Sequence, residues 1–165
     1  MTTQKGPDLL AHAIPSLLGH YPRAKFVFSG EGDMKDHIEH LAHRMGVAHA
    51  CRFYGVMPRK ELIELYKACD VTAITSRNEP FGIVVLEAWA AHKPVIVTHN
   101  GAEFVWHNIN GFKVYPNADS IAWGIGTMFM NFDHARWMGR NGREAVEKSF
   151  TWDTVADQTL AVYNN

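Results

Sequence analysis

The stretch Asp70–Thr98, DVTAITSRNEPFGIVVLEAWAAHKPVIVT, decides how the chain is read. Its first part, Asp70–Ser76 (DVTAITS), is short and β-branched, and its last, Pro94–Thr98 (PVIVT), has the same character, so both are predicted strands. Gly82–Leu86 (GIVVL) between them suits a strand by propensity alone. The EAWAAHK that follows favours a helix, and Pro80 suits a helix's first turn. A continuous helix from about Phe81 to His92, buried nearly all round, also supplies the crossover between the two strands. Strand, helix, strand at this spacing is a βαβ unit, and βαβ units build parallel sheets.

The same rhythm continues in both directions. Leu9, Leu10, Ala13, Ile14, Leu17 and Leu18 recur at helical spacing, with a local break expected at Pro15. Ala24–Ser29 (AKFVFS) reads as a buried strand that stops at the turn Gly30-Glu31-Gly32. Asp33 is a predicted N-cap for a helix whose apolar stripe is Met34, Ile38, Leu41, Ala42 and Met45, and Gly46 ends it. Cys51–Gly55 is a further strand, followed by a helix expected to turn Leu62, Ile63, Leu65, Tyr66 and Cys69 inward. Beyond Thr98 come a short strand near an edge, Gly111–Tyr115, and three helical segments at about 119–130, 133–149 and 152–163. The expected fold is a Rossmann-like α/β domain, a parallel sheet flanked by helices on both faces.

Composition limits what such a domain can do. The 165 residues suit one domain, and 47% apolar types suffice for a core. Sixteen basic against 17 acidic residues leave a net charge of −1, which supplies no basic field for sequence-independent nucleic-acid binding. No apolar run approaches the roughly 18 residues that span a bilayer, and the start MTTQKGPD lacks a signal peptide's apolar stretch. The two cysteines, Cys51 and Cys69, fit a reducing compartment better than a disulfide framework, so a cytoplasmic setting is expected. His37, His40 and His43 fan by about 120° around their helix, so they do not converge on one ion. No metal site is expected.

Ligands of such sheets sit beyond the carboxyl ends of the strands. The loop there is Ser76–Gly82, and it leads into the helix amino end, whose unpaired N–H groups and dipole suit a phosphate. Gly82 lets a ligand approach the backbone. Glu79 and Glu87 flank this end, and eight helical steps between them would span roughly 12 Å. Carboxylates repel phosphate but accept bonds from hydroxyls. A nucleotide sugar, with hydroxyls at both ends and phosphates between, matches that arrangement. Gly30-Glu31-Gly32 is a weaker cue, a strand-to-helix turn with ligand proximity at Gly30.

EPFGIVVLEAWAAHKPVIV resembles the signature of family 4 retaining glycosyltransferases: a glutamate, seven residues, then a glutamate. KGPDLL, VFSGEGDMKDHIEHLA, RFYGVMPRKELIELYKACDVTAITS, NGAEF, NGFKV and RWMGRNGREAVEKSFTWDTVA follow in the family's order, so the resemblance covers almost the whole chain. It implies the C-terminal, donor-binding lobe of the two-lobed GT-B architecture, transferring a hexosyl group from a UDP-, GDP- or ADP-sugar with retention. By position it assigns the transferred sugar to Glu79, the ribose to Glu87 and the diphosphate to Lys5. The backbone of Phe81, Gly82 and Ile83 would meet the phosphate or sugar, and the base would lie near Val56 and Met57. No metal cofactor is implied.

The departures from the family pattern carry their own expectations. The family's arginine, five residues before Lys5, would fall ahead of Met1, so that residue, its strand and the N-terminal acceptor lobe are expected to lie outside this chain. The chain alone is then expected to be inactive, and any peripheral membrane contact to run through that lobe. Trp89, Trp106, Trp123, Trp137 and Trp152 are expected in core and interlobe packing, and Met128, Phe129 and Phe132 partly exposed at the docking face. His92 and Lys93 replace the usual small residues, and His99–Glu103 lacks a glycine-proline pair seen in relatives. The alternatives are a non-catalytic nucleotide-binding module, indifferent to Glu79, and an epimerase of the same architecture, which would act without acceptor. A phosphorylase would need a lysine carrying pyridoxal phosphate, for which no cue is present.

Overall fold

In the computed structural model, which describes residues 1–163, five strands and seven α-helices follow one another in the order the hydrophobic pattern predicts. The strands are β1 (Phe26–Ser29), β2 (Cys51–Tyr54), β3 (Thr72–Ile74), β4 (Val95–Thr98) and β5 (Phe112–Val114). The helices are α1 (Pro7–His20), α2 (Lys35–Arg44), α3 (Arg59–Ala68), α4 (Ile83–Ala90), α5 (Ala118–Met130), α6 (Phe132–Ser149) and α7 (Trp152–Tyr163). Every strand pairing is parallel, with Phe26 opposite Cys51, Thr72 opposite Val95 and Ile96 opposite Phe112. The fold is an α/β Rossmann-like one.

The strands form two ladders rather than one: β1 with β2, and β3-β4-β5. The N-terminal residues bridge their carboxyl ends. The Met34 amide donates to the Met1 carbonyl (3.1 Å), while the Arg77 amide donates to Gln4 (2.8 Å) and the Thr75 hydroxyl to Gly6 (2.8 Å). Gly6 sits at φ 60°, and a Cβ there would lie 2.2 Å from the Thr75 carbonyl oxygen, so the close approach requires glycine. One apolar cluster draws on both ladders, through Phe26, Phe28, Cys51, Ile96 and Phe112, and packs under α1, α2, α5 and α6. On the other face Val95 and Val97 meet Val85, Ala88 and Trp89 of α4. Burying each large side chain of these clusters contributes roughly 1.5–3 kcal/mol.

α6 lies close to α4 because Gly139 and Gly142 face it. A Cβ at Gly142 would come within 2.2 Å of the Trp89 ring, and one at Gly139 within 2.4 Å of the His92 carbonyl. Trp89 is fully buried, and its indole N–H donates to the Asn110 carbonyl at 3.0 Å.

Several local expectations are corrected. Pro15 does not break α1; it lies inside the helix on its exposed face. A proline there costs about 3 kcal/mol, which burial of Ala11, Ala13, Ile14 and Leu17 offsets. Asp33 does not cap α2, because backbone carbonyls of Met1 and Gly32 already take the Met34 and Lys35 amides. Ile63 is exposed and α3 has no fully buried residue; its Tyr66 packs, partly buried, against the cluster formed by β3, β4 and α4.

α4 is buried on one side only; Ile83 is 64% exposed and Val84 is also open. Of the five tryptophans only Trp89 is core, while Trp106, Trp123, Trp137 and Trp152 are exposed. On α5 the inward face is taken by Ile121, Ile125 and Met128, which turns Trp123 outward and makes Met128 a core residue. Phe129 and Phe132 are partly buried, as expected. No helix among the described residues is long and apolar enough to cross a membrane.

Candidate functional site

Because the strands are parallel, the loops after β1, β2, β3 and β4 leave from their carboxyl ends. The loop after β3 carries Glu79 and is held from two sides. The Glu79 amide donates to the Asn100 carbonyl in the loop after β4 (3.1 Å), and the Asn100 side chain donates to the Arg77 carbonyl (3.2 Å). The Thr98 hydroxyl donates to the Ser76 carbonyl. Glu79 is thus placed by backbone bonds, independent of its own carboxylate.

That carboxylate receives Lys5. The Lys5 ammonium donates to Oε1 at 2.9 Å and to Oε2 at 2.7 Å, and the Ser76 hydroxyl donates to Oε2 at 2.9 Å. The Glu79 side chain is 8% exposed and the Lys5 side chain 49%, so the pair presents its cationic end outward. The 3-10 turn Thr3–Lys5 that delivers the lysine ends at Gly6.

Gly82 precedes α4 with φ 95°, a left-handed value that favours glycine, and a Cβ there would lie 2.8 Å from Ala102. At the start of α4 the Val85 amide turns back to the Gly82 carbonyl (2.9 Å), which leaves the Ile83 and Val84 amides ahead of it without an intrahelical acceptor. Phe81 (52% exposed) leans on Phe104 and, with Ile83, forms an open rim at this helix end. Only residues from Ile83 onward are helical, so the expected eight-step helical span between Glu79 and Glu87 shortens to four helical steps, roughly 6 Å, plus a loop. Glu87 is half-buried and accepts a 3.0 Å bond from the Tyr66 hydroxyl of α3. Burial, then the adjacent Glu87 charge and hydrogen bond, push the Tyr66 phenol well above its usual value near 10.

The remaining sequence candidates lie at the end of the other ladder. Gly30 (φ 121°) follows β1, and its amide donates to the Tyr54 and Gly55 carbonyls at 3.2 and 3.1 Å. Val56 and Met57 follow β2, Val56 largely exposed and Met57 half-buried. His37, His40 and His43 are all exposed along α2. Among the described residues no group of three His, Cys, Asp or Glu side chains is arranged to hold a metal ion.

The structure thus joins Lys5 directly to Glu79, while Glu87 is engaged separately by Tyr66. Sequence reasoning missed Ser76, Tyr66, Asp8 and Arg77. Arg77 forks onto Asp8 at 2.9 and 2.6 Å, and this contact holds the Asp8 carboxyl below its usual value. Ser76 stands three residues before Glu79, and Tyr66 lies on the inward stripe of α3; those spacings were the available signals.

Known proteins resemble this chain in sequence and in fold. An uncharacterized glycosyltransferase of Methanocaldococcus jannaschii is 41% identical over 166 residues, covering 99% of this chain and 42% of the relative. HepE of Anabaena, solved with UDP, superposes with a TM-score of 0.89 at 26% identity, over 99% of this chain and 46% of that one. The C-terminal domain of LpcC, a group 1 glycosyl transferase of Francisella tularensis, superposes at 0.85 with 25% identity, over 92% of this chain and 83% of that domain. The chain therefore spans about two-fifths of the M. jannaschii protein's length. Residues 1–145 match the profile described as glycosyl transferases group 1, and the chain belongs to that family.

Proposed function

We propose that this chain is the donor-binding lobe of a retaining, family 4-type glycosyltransferase, which moves a hexosyl group from a nucleotide-diphosphate sugar to an acceptor held elsewhere in a longer protein. The observation that carries the reading is the Lys5–Glu79 pair beside the amino end of α4. A diphosphate brought to that end meets free amides, a helix dipole and the ammonium of Lys5. As the phosphate oxygens take Lys5, the Glu79 carboxylate is released to accept bonds from sugar hydroxyls. Glu87, held by Tyr66, offers its second oxygen to the ribose. Lys5 then offsets charge growing on the leaving diphosphate, so catalysis rests on preorganised electrostatics. Phe81, Gly82 and Ile83 line the phosphate and sugar, while Gly30, Val56 and Met57 border the base.

A UDP-linked donor is the first choice, since the similar HepE was solved with UDP and with UDP-glucose. Residues 1–165 form one domain in this reading, with a first strand and an acceptor lobe supplied by other residues. The unpaired edges that β1 and β3 each retain support a further strand between the two ladders. The isolated chain binds donor without transferring sugar.

Calorimetry with UDP-glucose, GDP-mannose and ADP-glucose tests this. Binding of one of them, weakened by Glu87→Ala, is expected; absence of heat with all three overturns the reading.

A further inference from the structure

Lys5 is on a long flexible stem at the protein surface, yet its ammonium meets both oxygens of Glu79. With its lysine half exposed, this ion pair contributes little toward holding such a stem in place. What fastens the turn that carries it is Arg77. The guanidinium makes a two-pronged bond to Asp8 on the first turn of α1, at 2.9 and 2.6 Å, and the same Nη1 donates to the Thr3 carbonyl at 2.8 Å. The Arg77 backbone amide donates to the Gln4 carbonyl, also at 2.8 Å, and Gln4 reaches back to the Asn78 carbonyl at 3.2 Å. Residues on both sides of Lys5 are therefore tied to the loop that carries Glu79.

We propose that Asp8 and Arg77 are positioning residues for Lys5, setting where its ammonium stands relative to Glu79 and to a bound diphosphate. Neither needs to touch the donor. The arrangement depends on a planar fork that serves a carboxylate and a carbonyl together, which a lysine ammonium does not reproduce. The inference rests on the diphosphate-binding role of Lys5 proposed above, and its specific consequence is selectivity. A group that places a phosphate-binding lysine governs how much better a nucleoside diphosphate binds than its monophosphate. Contacts to base and ribose, at the far end of the site, are left as they were.

The test measures UDP and UMP binding by calorimetry for the wild-type chain, Lys5→Met, Asp8→Asn and Arg77→Lys. The wild-type chain is expected to favour UDP, and Lys5→Met to abolish most of that preference. Asp8→Asn and Arg77→Lys are expected to lower the UDP/UMP affinity ratio by about tenfold, as small misplacements of a charged group do. Retained UMP binding in these variants reports an intact fold, and the near-isosteric Asp8→Asn decides if Arg77→Lys does not fold. A ratio unchanged in Asp8→Asn, with the preference lost in Lys5→Met, overturns the positioning role and leaves the donor reading standing. A wild-type chain that binds UMP as tightly as UDP overturns the role of Lys5 and this inference with it.

Discussion

The phenol of Tyr66 donates a 3.0 Å hydrogen bond to Glu87 Oε2, tying α3 to α4 beside the proposed ribose position. Burial and the Glu87 charge raise the phenol's folded pKa above its ordinary value of 10. Such a group contributes stability that is fully present below the unfolded pKa and is lost as pH rises from there through the folded value. Alkaline titration at 295 nm should therefore show Tyr66 still protonated near pH 11, so that Tyr66→Phe removes almost none of the signal at that pH. A full tyrosinate increment lost on substitution contradicts the structure. At neutral pH the same variant should be less stable by about 1 kcal/mol.

Ser76→Ala removes one of the two side chains bonded to Glu79. A stability loss of about 1 kcal/mol is expected, read as a melting temperature lower by roughly 2–4 °C. If Glu79 serves the sugar, UDP-glucose affinity falls in this variant while UDP affinity stays; equal losses for both ligands contradict that assignment.

Asp8 predicts the acid limb. Its folded pKa lies below the ordinary 3.8 because Arg77 bonds it, so the pair's contribution is present above that value and is lost as pH falls through the folded one. The Arg77 side chain is partly exposed, which holds the contribution to about 1 kcal/mol. Urea unfolding of the wild type and Asp8→Asn should differ near neutral pH and converge in acid, as pH falls through the lowered Asp8 value. A constant difference down to the lowest pH counts against the pairing.

His92 adopts φ 58°, in the region that favours glycine, where the chain leaves α4. A side chain there costs roughly 1–2 kcal/mol, part of which glycine's greater unfolded-state freedom offsets. His92→Gly is expected to raise stability by about 0.5 kcal/mol without altering nucleotide binding. A lower melting temperature contradicts this.

Gly142→Ala puts a methyl group against the buried Trp89 ring. Overpacking of this kind costs about 1–3 kcal/mol, and chemical denaturation should show it. Near-wild-type stability means that α6 does not sit against Trp89 as described.

The β3–α4–β4 unit was legible because β-branched runs, Pro80 and a helix-forming segment agree locally. The corrected features share a different origin. Pro15 stays helical because distant elements bury its neighbours; Asp33 is idle because the Gly32 carbonyl takes the Lys35 amide, with Met1, far away in sequence, holding the Met34 amide beside it. Met128 is core rather than partly exposed because the buried face of α5 is chosen by what packs against it. Glu79, Glu87 and Gly82 could be singled out as candidates from spacing; their partners could not.

Local preference in this chain was enough to specify the strands and helices, their parallel order and the acidic residues around the amino end of α4. Tertiary packing alone decided that Lys5 meets Glu79, that Arg77 grips Asp8 and that Tyr66 meets Glu87. These residues stand 74, 69 and 21 positions apart, and periodicity describes only which face a residue occupies on its own element. Which side chain waits on the facing element is set by how the buried faces fit together.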